Sequence, residues 1–396
     1  MEKLRLLFRH NIERVSLSFI RYIYWQIHWS SRLIILTGAR GVGKTTLLLQ
    51  YIKNNLPLNE ETLYVSLDNL YFSKNKLMDM AESFIQRGGR YLILDEVQKY
   101  PGWSLEVKNL YDNYPELKMI ISGSAAIEIF KSEGDLSRRA VYYHMTGLSF
   151  REYINLKASK TFEVHSLDEV LKDHFEISFE ISNQIKPLRY FYEYLEGGYY
   201  PFFNEDPETY HQKVSQVVNT VLEVDIPQVF QMDFQSVEKI KKLLSEIVSM
   251  VPFKPNISSL SRKLDISRDT LVRYLKWLEK ADILNLLFSQ THGVSALNKP
   301  EKIYLNNPNL SFALNDKVNT GNIRECFFYN QVEVGHKIRY ADKGDFMVND
   351  ELIFEIGGKK KGMKQLEGLD NAYVVKDDME VSTSHALPLW LFGFLY

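Results

Sequence analysis

Short apolar runs, each followed by a helix-forming stretch, organise the first third of the chain. RLIILT (32–37), TLYVSLD (62–68), RYLILDE (90–96) and LKMIISG (117–123) have the length and turn-bounded ends of buried strands. Between them TTLLLQYIKNNL, LMDMAESFIQRG and SLEVKNLYDNY predict helices. Strands alternating with helices indicate βαβ units and a mainly parallel sheet. The pattern fades after about Phe150. Residues 151–250 predict helices with irregular loops, among them EGGYYPFFNEDPE. Residues 256–287 carry a helix-turn-helix pattern. From Lys302 the period shifts toward strands: KIYLNN, HKIRYA, DFMV and ELIFEI, with a helix near NIRECFFYNQV. No internal repeat or low-complexity segment stands out.

Two aromatic runs test for membrane segments. LSFIRYIYWQIHW (17–29) is interrupted by Arg21 and His28 and falls short of the ~18–20 apolar residues a span needs, so a buried helix packed on the next domain is expected. ALPLWLFGFLY (386–396) is also too short and predicts a terminal element tucked into a core. At 396 residues, two to four domains are expected. The apolar share of 45% and charged share of 25% are those of a globular protein. A net charge of −2 argues against coating nucleic acid with the whole surface, but leaves room for a local basic face. Cys326 is the single cysteine, so no internal disulfide can form and a reducing, cytoplasmic setting is expected.

The chemistry begins where the first strand ends. Gly38-Ala39-Arg40-Gly41-Val42-Gly43-Lys44-Thr45 fits G-x-x-x-x-G-K-[ST] between a strand and a helix, the context a phosphate-binding loop requires. Backbone N–H groups of such a loop curl around phosphates, and the helix N-terminus adds its dipole. Lys44 is expected to reach the β- and γ-phosphates of ATP, Thr45 to hold Mg²⁺, and Thr46 to complete the cradle. In YLILDE, Asp95 ends a strand as a Mg²⁺ partner through water, and Glu96 is placed to polarise the attacking water. LKMIISGSAA ends in small polar residues, of which Ser124 rather than Ser122 is expected to sense the γ-phosphate. Arg138 and Arg139 are candidate arginine fingers, acting within the chain or across a subunit interface.

Together GARGVGKTTLL, YLILDEVQKYPGW, IISGSAA and LSRRAVYYHMTGLSFREY resemble a group of prokaryotic AAA+ ATPases. In that group the ATPase module is joined to a C-terminal PD-(D/E)XK, restriction-endonuclease-like domain of unknown role. The resemblance covers the first 150 residues and resumes over the last 140 or so. It implies a five-stranded parallel sheet with Walker motifs at Lys44, Thr45, Asp95 and Glu96. The family's post-sensor arginine falls on Arg139, while Arg138 stands where many relatives have glycine.

In NISSLSRKLDISRDTLVRYLKWLEKADILNLL (256–287), Ser267 is a natural N-cap for a second helix from Arg268 to about Ala281. Leu271, Leu275 and Leu278 would face the core, leaving Arg268, Arg273, Lys276 and Lys280 for solvent or phosphate. Residues 254–280 hold seven Lys or Arg against three Asp or Glu, a local net of +4. That suits contact with double-stranded DNA, although a winged helix of this kind also serves as a packing or protein-contact unit.

Near the C-terminus, DFMVNDELIFEIGGKKKG places Asp345 and Glu355 on successive strands, with Glu325 on the preceding helix. Nucleases of the PD-(D/E)XK type bring such acids together on a hairpin to hold Mg²⁺. The lysine expected two residues after Glu355 is replaced by Gly357. Lys359 shares the strand face of Glu355 at roughly 13 Å, and a bulge at Gly357-Gly358 would shorten that gap. Otherwise Lys359, Lys360, Lys361 and Lys364 form a phosphate-binding edge. Gln365 falls on the following helix.

The expected architecture is an α/β P-loop AAA+ parallel sheet with an N-terminal helix (1–150), a helical lid (151–250), a winged helix-turn-helix (251–300) and a small α/β restriction-endonuclease-like domain (301–396). The expected function is ATP binding and hydrolysis coupled to action on DNA. The alternatives are a nucleotide-dependent switch with protein partners, self-associating or not, and an ATP-regulated Mg²⁺-dependent nuclease.

Overall fold

In a computed structural model of the chain, all residues are described except 124–135, 137, 231, 251–253, 290–298, 316, 360 and 363–365. The chain divides into two compact units, Met1–Gly147 and Leu148–Tyr396. Among the described residues no helix is long and apolar enough to cross a membrane.

The first unit is built on strands β1 (Leu33–Thr37), β2 (Thr62–Ser66), β3 (Tyr91–Asp95), β4 (Lys118–Ser122) and β5 (Val141–His144). They lie in the order β2-β3-β4-β1-β5, and every pairing is parallel. Helices α1 (Glu2–Arg14), α2 (Lys44–Asn55), α3 (Leu77–Gln86) and α4 (Trp103–Asn113) accompany them. Residues of β1 are buried on both faces, which explains its continuous apolar run. Because β1 lies between β4 and β5, the loop leaving it opens at the carboxyl ends of the strands, where open α/β sheets bind ligands.

The N-terminal segment departs from expectation. The α-helix is Glu2–Arg14, which buries Leu4, Phe8 and Ile12 at one-turn spacing. The aromatic run expected to be helical holds only a 3₁₀ turn, Tyr22–Trp25. Its polar interruption accounts for this. Arg21 is buried in extended backbone and donates to the carbonyls of Val42 (2.7 Å), Thr146 (3.0 Å) and Gly147 (2.7 Å). The rings that follow pack on α2, with Trp29 stacked on Tyr51 at 3.8 Å.

The second unit opens with helices α5 (Phe150–Ala158), α6 (Leu167–Lys172), α7 (His174–Gln184), α8 (Pro187–Gly197) and α9 (Tyr210–Thr220). A π-helical stretch, Val221–Asp225, leads into α10 (Ile226–Phe230). Then come α11 (Phe234–Met250), α12 (Ile257–Lys263) and α13 (Arg268–Lys280). Strands β6 (Leu284–Leu287) and β7 (Lys302–Leu305) pair antiparallel. Helices α14 (Pro308–Leu314) and α15 (Thr320–Val332) precede a second sheet of β8 (Ile338–Tyr340), β9 (Phe346–Val348), β10 (Leu352–Gly357), β11 (Ala372–Lys376) and β12 (Leu387–Pro388). In it β8-β9-β10 are antiparallel neighbours, and β11 runs parallel to β10 and β12.

One aromatic core joins segments far apart in sequence. Phe150 meets Phe191, Tyr194, Trp390 and Phe394, and Phe191 meets Phe327 at 4.8 Å. The buried C-terminal run is a 3₁₀ helix, Leu389–Phe394. Ser149 and Arg151 both donate to the Tyr396 carbonyl, at 2.9 and 2.8 Å. Residues 148–396 therefore form one contact unit, although the sequence divides them into three segments.

Candidate functional site

The phosphate loop bends where β1 gives way to α2. Gly38 has φ +147, and a Cβ there would lie 2.2 Å from the Met145 carbonyl oxygen, so no other residue lets the loop pass β5 this closely. Lys44, buried at the start of α2, donates to the carbonyls of Gly38 (2.7 Å) and Ala39 (2.8 Å). Gly38 through Thr46 are thereby gathered at one helix N-terminus, the geometry that suits a polyphosphate.

Asp95, at the end of β3, is 2% exposed and organises the site. Its Oδ2 accepts from Thr45 (2.6 Å) and from the Tyr64 hydroxyl (2.7 Å). Its Oδ1 accepts from the Glu96 N–H (3.0 Å) and from Ser122. Burial, and after it the Asp95 charge, push the Tyr64 phenol well above its ordinary range, so Tyr64 stays protonated and donates. Thr45 and Asp95 form a hard-oxygen pair suited to Mg²⁺, and the ion would be held between them and the phosphates. Bound there, it would neutralise charge on the transferring phosphoryl group.

Glu96 follows in the left-handed region, with φ 53 and ψ 41, a conformation that is uncommon for a side-chain-bearing residue. The turn lifts its carboxylate out of the strand line. There Oε2 accepts from Gln98 Nε2 (2.6 Å) and faces Arg40 Nη2 at 3.9 Å. The structure thus brings Lys44, Thr45, Asp95, Glu96 and Arg40 together.

The other candidates fall elsewhere. Ser124 lies outside the described residues. Ser122, passed over in the sequence reading, is fully buried and donates to Asp95. Arg139 forms a two-point ion pair with Asp112 near the end of α4, at 2.8 and 2.9 Å. It precedes β5, whose Val141 is level with Ile34. That puts it at the strands' amino ends, roughly 15–20 Å of strand from Gly38. Within one chain this position does not bring Arg139 to the phosphate loop. Arg138 beside it is exposed.

In the second unit Ser267 caps α13 by accepting from the Thr270 N–H. Arg268, Arg273 and Lys276 are exposed on that helix. Arg273 lies over Trp277 at 5.5 Å, and Trp277 stacks on Phe230 at 3.9 Å. Behind this face, Glu279 accepts from the Leu286 N–H at 3.3 Å. Burial raises its carboxyl from 4.5 to about 7, against the opposing pull of that N–H, Lys276 and Lys280. Because the folded value is raised, the stability tied to this group is complete below about pH 4.5 and is lost as pH rises through 7. Glu279→Gln should therefore raise the thermal midpoint at pH 8 by several degrees, up to about 3 kcal/mol, and change little near pH 4.5. Equal shifts at both pH values would contradict this.

The C-terminal acids are near one another but differently engaged. Glu325 on α15 and Asp345, just before β9, share Lys302, while Glu355 is ion-paired with Lys361. The lysine at Glu355 is thus Lys361 and not Lys359. The chain turns at Gly358, whose carbonyl accepts from the Lys361 N–H at 2.9 Å. The Lys361 side chain then lies over Gly357, where an added Cβ would be 2.5 Å from it. Among the described residues no group of three or more His, Cys, Asp or Glu is placed to share a metal ion. A Mg²⁺ ion shared by Glu325 and Asp345 would have to displace the Lys302 ammonium, which lies 3.2 Å from the first and 3.4 Å from the second. Lys360, Lys364 and Gln365 lie outside the described residues.

Residues 30–154 match a family model described as "AAA domain". The matched stretch contains the Gly38–Thr46 loop and Asp95. Residues 188–320 match a second model, described as a domain of unknown function (DUF8612), which spans the sequence boundaries expected at 250 and 300. "Uncharacterized protein MJ1637" of Methanocaldococcus jannaschii is 28% identical, over 92% of this chain and 84% of its own length. Solved structures with some likeness include AMPPCP-bound DnaA from Aquifex aeolicus and C. elegans PCH-2. The DnaA structure has a TM-score of 0.28 at 16% identity, covering 71% of this chain and 89% of that one. PCH-2 has a TM-score of 0.27 at 18% identity, covering 44% of this chain and 47% of that one. The chain thus spans about half the length of PCH-2. At these scores neither is a guide to the arrangement of this chain.

Proposed function

We propose that the chain is a Mg²⁺-dependent ATPase whose nucleotide state governs DNA contact by its second unit. The observation that carries the ATPase reading is the left-handed Glu96. It follows directly on an Asp95 that already holds Thr45, and a general base in that position can polarise a water against the γ-phosphate. In the second unit α11, α12, α13 and the β6–β7 hairpin act as a winged helix, with Arg268, Arg273 and Lys276 on the duplex backbone. The exposed basic face of α13 supports this.

A test follows from charge. Arg268→Ala with Arg273→Ala should weaken duplex binding about tenfold or more and flatten its salt dependence, as read by fluorescence anisotropy at two salt concentrations. ATP turnover should rise with duplex DNA in the wild type and not in this variant. Unchanged affinity would remove the DNA assignment.

A second reading is favoured by one contact set. Glu96 Oε2 is held by Gln98 and faces Arg40, an arrangement that suits a slow-hydrolysing switch with protein partners. ATP binding with turnover indifferent to any nucleic acid would select it. Self-association belongs with this reading, since Arg139 would have to act on a neighbouring chain to serve as a finger.

A further inference from the structure

The acids that resemble a nuclease centre are bound to fixed positive charges. Lys302, the first residue of β7, places Nζ 3.2 Å from Glu325 Oε2 and 3.4 Å from Asp345 Oδ1. All three side chains are largely covered, at 17%, 18% and 15% exposure. The remaining contacts complete the arrangement. The Tyr304 hydroxyl donates to Glu325 Oε2 at 2.8 Å, and the Ile356 N–H donates to Asp345 Oδ2 at 2.9 Å. Burial and then the Asp345 charge push the Glu325 carboxyl upward, while Lys302 and the Tyr304 hydroxyl pull it back. Two covered carboxylates facing each other stay ionised together only with a cation between them.

We propose that Lys302 is a built-in cation that takes the place of a divalent ion between Glu325 and Asp345, so that the cluster is a permanent clasp and not a metal centre. The clasp joins three elements that are distant in sequence: the base of the β6–β7 hairpin, helix α15 and the approach to β9. Lys361 on Glu355 follows the same rule, with a lysine brought back across Gly357 to meet a carboxylate that is 2% exposed. The chain thereby keeps the acids of a hydrolytic site and supplies their counter-charges from its own residues. This inference does not depend on the ATPase reading.

The probe is Mn²⁺ added to the nucleotide-free full-length chain, with bound ion followed by electron paramagnetic resonance and stability by thermal unfolding. Wild type should show no Mn²⁺ uptake that Asp345→Asn removes, and no shift of the second unit's unfolding. Lys302→Met should unfold several degrees earlier in EDTA and regain that loss with Mn²⁺, and adding Glu325→Gln should cancel the gain. Lys302→Arg should keep wild-type stability and stay indifferent to Mn²⁺. Wild-type Mn²⁺ uptake that is lost in Asp345→Asn would overturn the proposal. So would a Lys302→Met chain as stable as wild type, or one that is destabilised yet takes up no Mn²⁺. If Lys302→Met does not fold, the wild-type and Lys302→Arg arms decide.

Discussion

Glu96→Gln is expected to lower ATP turnover about 100-fold or more while leaving nucleotide affinity within a few-fold of wild type. The substitution keeps length and shape, so the turn at Glu96 and the hydrogen bond from Gln98 can persist. What it removes is the carboxylate charge and the ability to take a proton from water. The lost ion pair with Arg40 spans 3.9 Å between partly exposed groups and is worth well under ~1 kcal/mol, so folding is not the cause of any deficit. Lys44, Thr45 and Asp95 are untouched, and with them the contacts expected to bind Mg²⁺-ATP. A variant that turns over as fast as wild type would remove Glu96 as the base.

Asp95→Ala should be the most damaging single change in the first unit. Three hydroxyls and one N–H converge on this carboxylate. Ser122 is fully buried and Tyr64 nearly so. Each buried donor left without an acceptor costs about 1–3 kcal/mol, so a loss of about 3–5 kcal/mol is expected in denaturant unfolding of the nucleotide-free chain. Asp95→Asn keeps one acceptor oxygen and should fall between Asp95→Ala and wild type. Tyr64→Phe removes a single donor and should cost about 1 kcal/mol. Mg²⁺-dependent nucleotide binding should vanish in Asp95→Ala as well. Wild-type stability in that variant would show that Asp95 is not the organiser of the site.

What the sequence discloses here is local. The phosphate loop is one continuous stretch, so its glycines, Lys44 and Thr45 are recognisable without a fold. Asp95 and Glu96 stand at the end of an apolar run and are recognisable for the same reason. Ser122 is less obvious, because its role depends on register: Ile121 lies level with Leu94, which places the ends of β3 and β4 side by side. Two apolar runs ending in DE and SG carried that signal. Tyr64 carried none, since a tyrosine within a strand is expected as core and only the fold shows where its hydroxyl ends.

Other features are hidden from the sequence because chain direction matters more than composition. Arg139 follows the β4 segment closely in sequence, yet a parallel β5 has to begin at the opposite end of the sheet from the phosphate loop. Arg21 looked like a flaw in an apolar helix and instead serves three backbone carbonyls. Lys302 and Glu325 are brought together only by the packing of β7 against α15, and no local pattern announces a lysine between two acids. The helix-turn-helix pattern, by contrast, is a repeat of leucines behind a serine cap. Helices α12 and α13 stand where that pattern places them.

Mg²⁺-ATP is expected to bind at the Gly38–Thr46 loop and to be hydrolysed there. The most direct test is steady-state release of inorganic phosphate from Mg²⁺-ATP by wild type and by Lys44→Ala. Release should saturate with ATP, require Mg²⁺ and disappear in the variant. Equal release from both proteins, or none above background from wild type with and without DNA, would contradict this.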